Sequence, residues 1–459
     1  MSLRRAALGI GSTAADKLVV TLVQLLLVPV LANAWGLTLF GIWAMMVTIP
    51  TFLVLADFGI VTAAWARMTS FIARDERDTA KQTLHTAFAV SSFLCLLFAA
   101  GSMALIWLLP GALFPDVTDF SEDDARLTLA LLVLYGLGTI MFRLVTAIFR
   151  ANGRLPLALW CNTGSYGGEN LAMVGAVMLG AGPAVAAAVL LTLRLVAIGM
   201  TIVLAYRLDR HLRPGFASAT SAELRELWRP ALSATMLGLS VLVFLQGSTV
   251  VLGLVAGAAA VPAFVAVRTV SRLGVQMSLI IANPIAQDFA EAMARGQHRM
   301  AGRYFSFVAI CAILFAAMMG AGLVFAGQFA IRLWTDGAIV PSLALLALMA
   351  VSSAASILWN PICSLVLSLG RQRVIANAGF AASLIGLLLI WLIAGDVGTV
   401  AAGAAFAFVD SATLGAALIF VSRNWLRNPE FKAGIASGIA DLRNPRRFWR
   451  NLRRHTSGA

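Results

Sequence analysis

Long apolar stretches, each closed by a short polar connection, follow one another along the chain. Twelve are read, at roughly 9–34, 39–66, 83–109, 126–149, 155–179, 184–206, 231–255, 262–287, 303–326, 342–368, 374–394 and 399–421. A helix needs about 20 apolar residues to cross the hydrocarbon core, so each stretch predicts one transmembrane helix. The most polar internal segment, Arg207 to Pro230, falls between the sixth and the seventh. The expected organisation is an N-terminal six-helix lobe over 1–206, a cytoplasmic linker over 207–230, a C-terminal six-helix lobe over 231–421 and a basic amphipathic tail over 422–459. A weak repeat accompanies this division. Gly153-Arg154 in the fourth connection is echoed by Gly370-Arg371 in the tenth, and Phe71-Ile-Ala-Arg74 in the second by Phe289 to Arg295 in the eighth. Parallel halves of this kind are a common transporter plan, with the substrate site near midplane between them. Chance likeness among short basic loops is the competing reading. The fold class expected is an all-α polytopic membrane protein with about 12 transmembrane helices in two six-helix lobes around a central cavity.

Composition changes this picture little. Of 459 residues, 60% are hydrophobic and only 12% charged, against about a quarter charged in a soluble chain. The net charge of +13 raises nucleic acid as a partner until its distribution is examined. The N-terminus, the even-numbered connections and the tail carry 27 of the 34 Lys and Arg residues, while the odd-numbered connections carry Arg332 alone. Basic residues stay on the cytoplasmic side of a bacterial inner membrane. Both termini are therefore expected to be cytoplasmic, and the basic excess is topology rather than a nucleic-acid footprint. Asp116, Asp119, Glu122, Asp123 and Asp124 mark the opposite side.

Arg4-Arg5, the first apolar run and Ala32-Asn33-Ala34 imitate a signal peptide. The run is long, contains Asp16 and Lys17, and supplies the first span that cytoplasmic termini require, so it is expected to remain. Cys95, Cys161, Cys311 and Cys363 lie inside apolar spans without CxxC spacing and read as small buried hydrophobes. The four histidines fall near the cytoplasmic side with no metal spacing or acid–base constellation around them. The longest outer loops, 110–124 and 327–341, are too short for the catalytic outer loop of a membrane-embedded polymerase. No Walker motif occurs. Neither catalysis nor a cofactor is expected.

Gly36, Phe40, Gly41 and Trp43 form a glycine–aromatic turn after the first span, and Asp57-Phe-Gly59 stands near the end of the second. With the Gly-Arg connections and twelve spans, these residues resemble the polysaccharide-transporter family, which includes Wzx-type flippases for lipid-linked oligosaccharides. The chain is more distantly similar to lipid II flippases and multidrug antiporters of the same superfamily. The resemblance implies export of a polyprenyl-diphosphate-linked sugar unit from the inner to the outer leaflet.

Charges within the spans are candidates for the site, because each costs at least about 2.5–3.5 kcal/mol at mid-bilayer unless paired or hydrated. Arg268 and Arg272 are four apart, on one helical face, and two guanidiniums suit a diphosphate. The lipid II flippases, which the chain distantly resembles, carry a cavity arginine in this span. The competing reading pairs one of the two with Asp410. Arg194 lies mid-span and either faces the cavity or pairs with Glu169. Arg143 either contacts substrate or snorkels to the cytoplasmic face. Lys17 pairs with Asp16 or snorkels. The stretch Asn162 to Asn170 holds Gly164, Gly167 and Gly168, expected to loosen the helix, and its Asn162, Tyr166 and Asn170 would suit sugar hydroxyls. Its rival role is a helix–helix packing seam. Glu169, Asp57 and Asp410 are candidate proton-coupling acids, with a helix-end hydrogen bond as the rival role for Asp57. The charge excess inside the spans is small and favours an anionic substrate over a cation.

In the tail, Phe431, Ile435, Ile439 and Leu442 recur at roughly helical spacing before the basic run Arg446 to Arg454. This suits either the anionic inner-leaflet surface or docking on a cytoplasmic glycosyltransferase. The function expected is a flippase working by alternating access, its partners being a polyprenyl-diphosphate-linked glycan, membrane lipids and polysaccharide-assembly proteins. The alternative is a proton- or sodium-coupled multidrug exporter on the same fold.

Overall fold

The computed structural model describes residues 3–108, 110, 120–209, 211–369, 371 and 373–442, without the side chains of 3–14, 55–56, 229–241, 373–374 and 441–442. Asp116, Asp119, Gly370 and the basic run from Arg446 lie outside these residues. Helices make up the regular structure. Nine are long and apolar enough to cross a membrane among the described residues, and Ile60–Ala73 and Leu242–Ala256 are shorter apolar helices. The chain is a multi-pass membrane protein. It divides into two compact units: unit 1 is Met1–Val265 with Arg332–Ile339, and unit 2 is Ala266–Ile331 with Val340–Ala459.

Unit 1 contains α1 (Leu3–Met46), α2 (Thr48–Leu53), α3 (Ile60–Ala73), α4 (Arg77–Leu108), α5 (Glu122–Ala151), α6 (Leu155–Met178), α7 (Pro183–Leu208) and α8 (Ser221–Ala256). The seventh span thus packs with the first six. α1 covers the first span and the start of the second, turning at Gly36, whose φ of 71° favours glycine. Beside that turn the Trp35 indole donates to Ala181 O at 2.9 Å and meets the Trp43 ring edge-on. Gly41 lies so close to the Ala258 backbone that a methyl group there would collide with it. The glycine–aromatic motif is a turn plus a backbone crossing.

The expected continuous span over 39–66 is broken. A 3-10 turn covers Val54–Asp57, Phe58 and Gly59 have φ of 45° and 74°, and Asp57 Oδ1 accepts the Gly59 N–H at 2.8 Å. Gly136 of α5 lies against the Pro50 backbone just before this break. The core of unit 1 gathers Ala64, Met68, Leu84, Leu144 and Ile148 from α3, α4 and α5.

Part of the expected linker is helical, since α8 starts at Ser221 with Thr220 as its cap. The remainder is strapped to α4. His85 Nδ1 accepts the Ser218 N–H at 3.0 Å, and Nε2 lies 3.1 Å from Arg213 O. Thr86 Oγ1 accepts the Thr220 N–H at 3.1 Å. Buried Glu223 takes two hydrogen bonds from Arg67, at 2.9 and 3.0 Å, and one from Thr83 at 2.7 Å. A bidentate guanidinium–carboxylate pair is the strongest geometry such groups adopt.

Helix α9 (Val261–Ala294) enters unit 2, followed by α10 (His298–Ala321), α11 (Gly327–Trp334), α12 (Leu343–Ser368), α13 (Arg373–Val397), α14 (Thr399–Asn424) and α15 (Pro429–Leu442). A π-helical segment, Gly322–Ala326, joins α10 to α11, so the expected outer loop over 327–341 is helical as far as Trp334. α15 does not present its whole apolar stripe outward. Phe431 is buried with Phe289, Phe305 and Trp425 in an aromatic cluster. Backbone meets backbone where Gly302 of α10 faces Gly434. Ile439 remains exposed.

Candidate functional site

Three acid-centred clusters lie within the spans of unit 1. Asp16 of α1 is buried. Its Oδ1 accepts from Thr163 Oγ1 at 2.6 Å and lies 3.4 Å from Asn162 Nδ2 of α6, while Lys17 Nζ stands 3.8 Å from Oδ2. Asp57 Oδ2 is buried without a hydrogen-bond partner, 3.9 Å from Arg143 of α5, whose side chain is 39% exposed. The break in the second span places Asp57 there, since its other oxygen holds the turn at Gly59.

The third cluster is the most enclosed. Arg194 of α7 donates from Nη2 to Glu169 Oε2 of α6 at 2.7 Å and to Tyr135 Oη of α5 at 3.0 Å. The Tyr135 hydroxyl donates to the same Glu169 oxygen at 3.1 Å. The Arg194 guanidinium also stands over the rings of Tyr135 and Phe142, at 5.1 and 4.9 Å. Side-chain exposure is 4% for Arg194 and 1% for Glu169. Glu169 Oε1 and Arg194 Nε are buried without a hydrogen-bond partner, so the carboxylate keeps one oxygen available. Apolar neighbours make a charge here tolerable only while both members stay together.

α6 remains helical across all three of its central glycines. The expected loosening is not seen. Gly167 instead admits Val19 of α1 to close contact, as small residues do at transmembrane helix contacts. Asn162 is engaged with Asp16, Asn170 donates to Tyr166 O of its own helix at 2.8 Å, and Tyr166 is half-buried.

Unit 2 holds a different arrangement. Asp410 of α14 accepts from Ser352 Oγ at 2.5 Å and from Trp359 Nε1 at 3.0 Å, both donors on α12. Arg272 of α9 is within electrostatic reach of this carboxylate, and Arg268 is within reach of Arg272. Both arginines are half-buried. Ser353 of α12 donates to Ser271 O at 2.9 Å, and Gly274 lets Ile357 and Met319 close on α9, which fixes the helix carrying the pair. Arg272 thus shares a carboxylate that already holds two neutral donors.

Sequence reasoning did not single out Tyr135, Thr163, Ser352 or Trp359 as partners. A signal existed for two of them: a Tyr or Trp inside an apolar span must find a partner for its O–H or N–H.

Three comparisons bear on these clusters. A family model described as polysaccharide biosynthesis protein matches residues 7–288. No curated protein sequence matches the chain. Among solved structures, the lipid II flippase MurJ in an inward closed conformation superposes with a TM-score of 0.69 at 14% identity, covering 96% of this chain and 99% of that one. An inward-facing multidrug resistance MATE family transporter of the MOP superfamily gives 0.67 at 14% identity, covering 92% and 99%. A MOP superfamily transporter from Pyrococcus furiosus Vc1, described as having a binding pocket of reverse polarity, gives 0.57 at 14%, covering 94% and 97%. At such identities the likeness establishes the fold, which is that of these transporters.

Proposed function

Because the chain belongs to the polysaccharide biosynthesis protein family, we propose that it is a flippase that carries a polyprenyl-diphosphate-linked oligosaccharide from the inner to the outer leaflet by alternating access. The observation that carries this reading is the pair of arginines four apart on α9 of unit 2, Arg268 within reach of Arg272 and Arg272 within reach of Asp410. A diphosphate accepts bidentate planar donors, and a second guanidinium four residues away doubles the match. The sugar meets the half-buried Tyr166 and the neighbouring Asn162 and Asn170, while the polyprenyl tail stays in lipid. Both termini lie in the cytoplasm of a bacterial cell, with the basic connections on that side. Glu169, with one carboxylate oxygen still available, is the first coupling acid, ahead of Asp57 and Asp410.

Arg268→Ala and Arg272→Ala are each expected to abolish surface glycan while membrane abundance stays at the wild-type level. Lysine should restore little, since a point charge does not reproduce the planar fork. Normal surface glycan in the double alanine variant contradicts the assignment.

A second reading has its own support, since an inward-facing MATE transporter shares the fold nearly as closely as the flippase does. A cation exporter on this fold predicts that deletion leaves glycan intact and sensitises cells to cationic dyes. The flippase predicts glycan loss with unchanged dye tolerance.

A further inference from the structure

Pro29 stands inside α1 and has no N–H, so the carbonyl four residues earlier, Leu25 O, lacks its helical donor. A carbonyl without a donor in an apolar surround costs free energy until something satisfies it. The indole of Trp334 does so, donating from Nε1 to Leu25 O at 2.8 Å. Trp334 is the last residue of α11 and belongs to the short segment Arg332–Ile339 that packs in unit 1, although the chain on both sides of it belongs to unit 2.

The segment has a definite shape of its own. Gly337 N–H donates to Arg332 O at 2.7 Å and Ala338 N–H to Thr335 O at 2.9 Å. Ile339 N–H donates to Thr335 Oγ1 at 3.2 Å. Asp336 and Gly337 hold positive φ of 49° and 84°, and Thr335 and Ile339 are fully buried. The π-helical segment Gly322–Ala326 lies just before it, and such irregularities recur at functional positions in helices.

We infer that the Trp334 indole and the Leu25 carbonyl form a releasable latch: it holds the 332–339 connection on the first helix in one state of the transport cycle and lets it go in the other. A helical carbonyl paired with its main-chain donor would be a poorer catch. The proline leaves an acceptor in place that only an outside donor can satisfy. The indole bond is neutral and its companion, Asn33 Nδ2 at 3.5 Å from Thr335 O, is long, so the tie is strong enough to bias a population yet weak enough to break in every cycle. This inference rests on the transporter fold and not on the choice of substrate.

Hydrogen–deuterium exchange on the full chain in lipid nanodiscs, without substrate, tests it. The peptide spanning 332–339 should show two mass populations, protected and exchanged. Trp334→Phe keeps the ring and removes the donor, and should shift the balance toward the exchanged population by about tenfold, the scale of one buried hydrogen bond. Pro29→Ala returns a main-chain donor to Leu25 O while leaving every other side chain in place, and should shift it the same way. The double variant should go no further than the larger single effect, because both changes remove one bond. A single protected population unmoved by either substitution overturns the latch, as does a double variant whose effect is the sum of the two. Loss of glycan translocation alone does not touch it, so its failure and that of the proposed substrate are read separately.

Discussion

At the scale of single residues, the Glu169–Arg194 pair decides most. Sequence reasoning offered Glu169 as a partner for Arg194 beside a cavity role but could not choose between them, because periodicity gives a residue's face and not its neighbour across the helix contact. The structure joins them through Tyr135. Removing one partner of a buried pair costs about 3–5 kcal/mol, while removing both is often tolerated. Arg194→Gln is therefore expected to lower the folded yield sharply, and Arg194→Gln with Glu169→Gln to recover it, measured by thermal unfolding of the purified protein. Transport discriminates further. If Glu169 is the coupling acid, the folded double variant no longer responds to an imposed pH gradient. A double variant that transports at the wild-type rate across that gradient moves the role to Asp57 or Asp410.

At the scale of elements, the apolar runs made the spans legible, because an uninterrupted apolar stretch of about 20 residues matches the thickness of the hydrocarbon core and exceeds what a soluble core helix needs. The break at Val54–Gly59 was not legible. It depends on one Asx-type hydrogen bond and two positive φ angles over three residues, which a span-length average conceals. The helical course to Trp334 was hidden for the opposite reason, since Gly327 and the polar residues beyond it read as a loop. The tail was legible as an amphipathic helix, but its apolar stripe gave no sign that Phe431 packs against protein. The glycines at 302, 434 and 438 carried that information, since each lets α15 approach α10 more closely than any side chain allows. Gly434→Leu is expected to displace α15 and to raise its proteolytic susceptibility at least several-fold, read by limited digestion, while the membrane-spanning helices remain folded. On the other strap, Glu223→Gln makes the bidentate partner of Arg67 neutral, leaving it only the exposed Glu226 carboxylate at 3.6 Å, and should loosen the 209–220 connection, read as faster amide exchange there.

For the whole molecule, family membership and the transporter fold establish a transporter of the polysaccharide biosynthesis family, and the anionic lipid-linked substrate is the proposal that remains to be tested. The family likeness was legible through residues whose reasons are now physical: Gly36 for its positive φ, Gly41 for its crossing with Ala258, and Asp57 with Gly59 for their turn. An approach of one of the two arginines to Asp410 was foreseen as the competing reading, but which of them it is was not legible, because that depends on helices distant in sequence. The most direct measurement is translocation by the purified protein in vesicles loaded on one leaflet with a polyprenyl-diphosphate-linked oligosaccharide, scored by a membrane-impermeant enzyme that modifies only glycan on the outside. The account predicts that glycan becomes accessible with the wild-type chain, and that the variant carrying Arg268→Ala and Arg272→Ala performs no better than empty vesicles. Wild-type vesicles that leave the glycan inaccessible while clearing a cationic dye would contradict it.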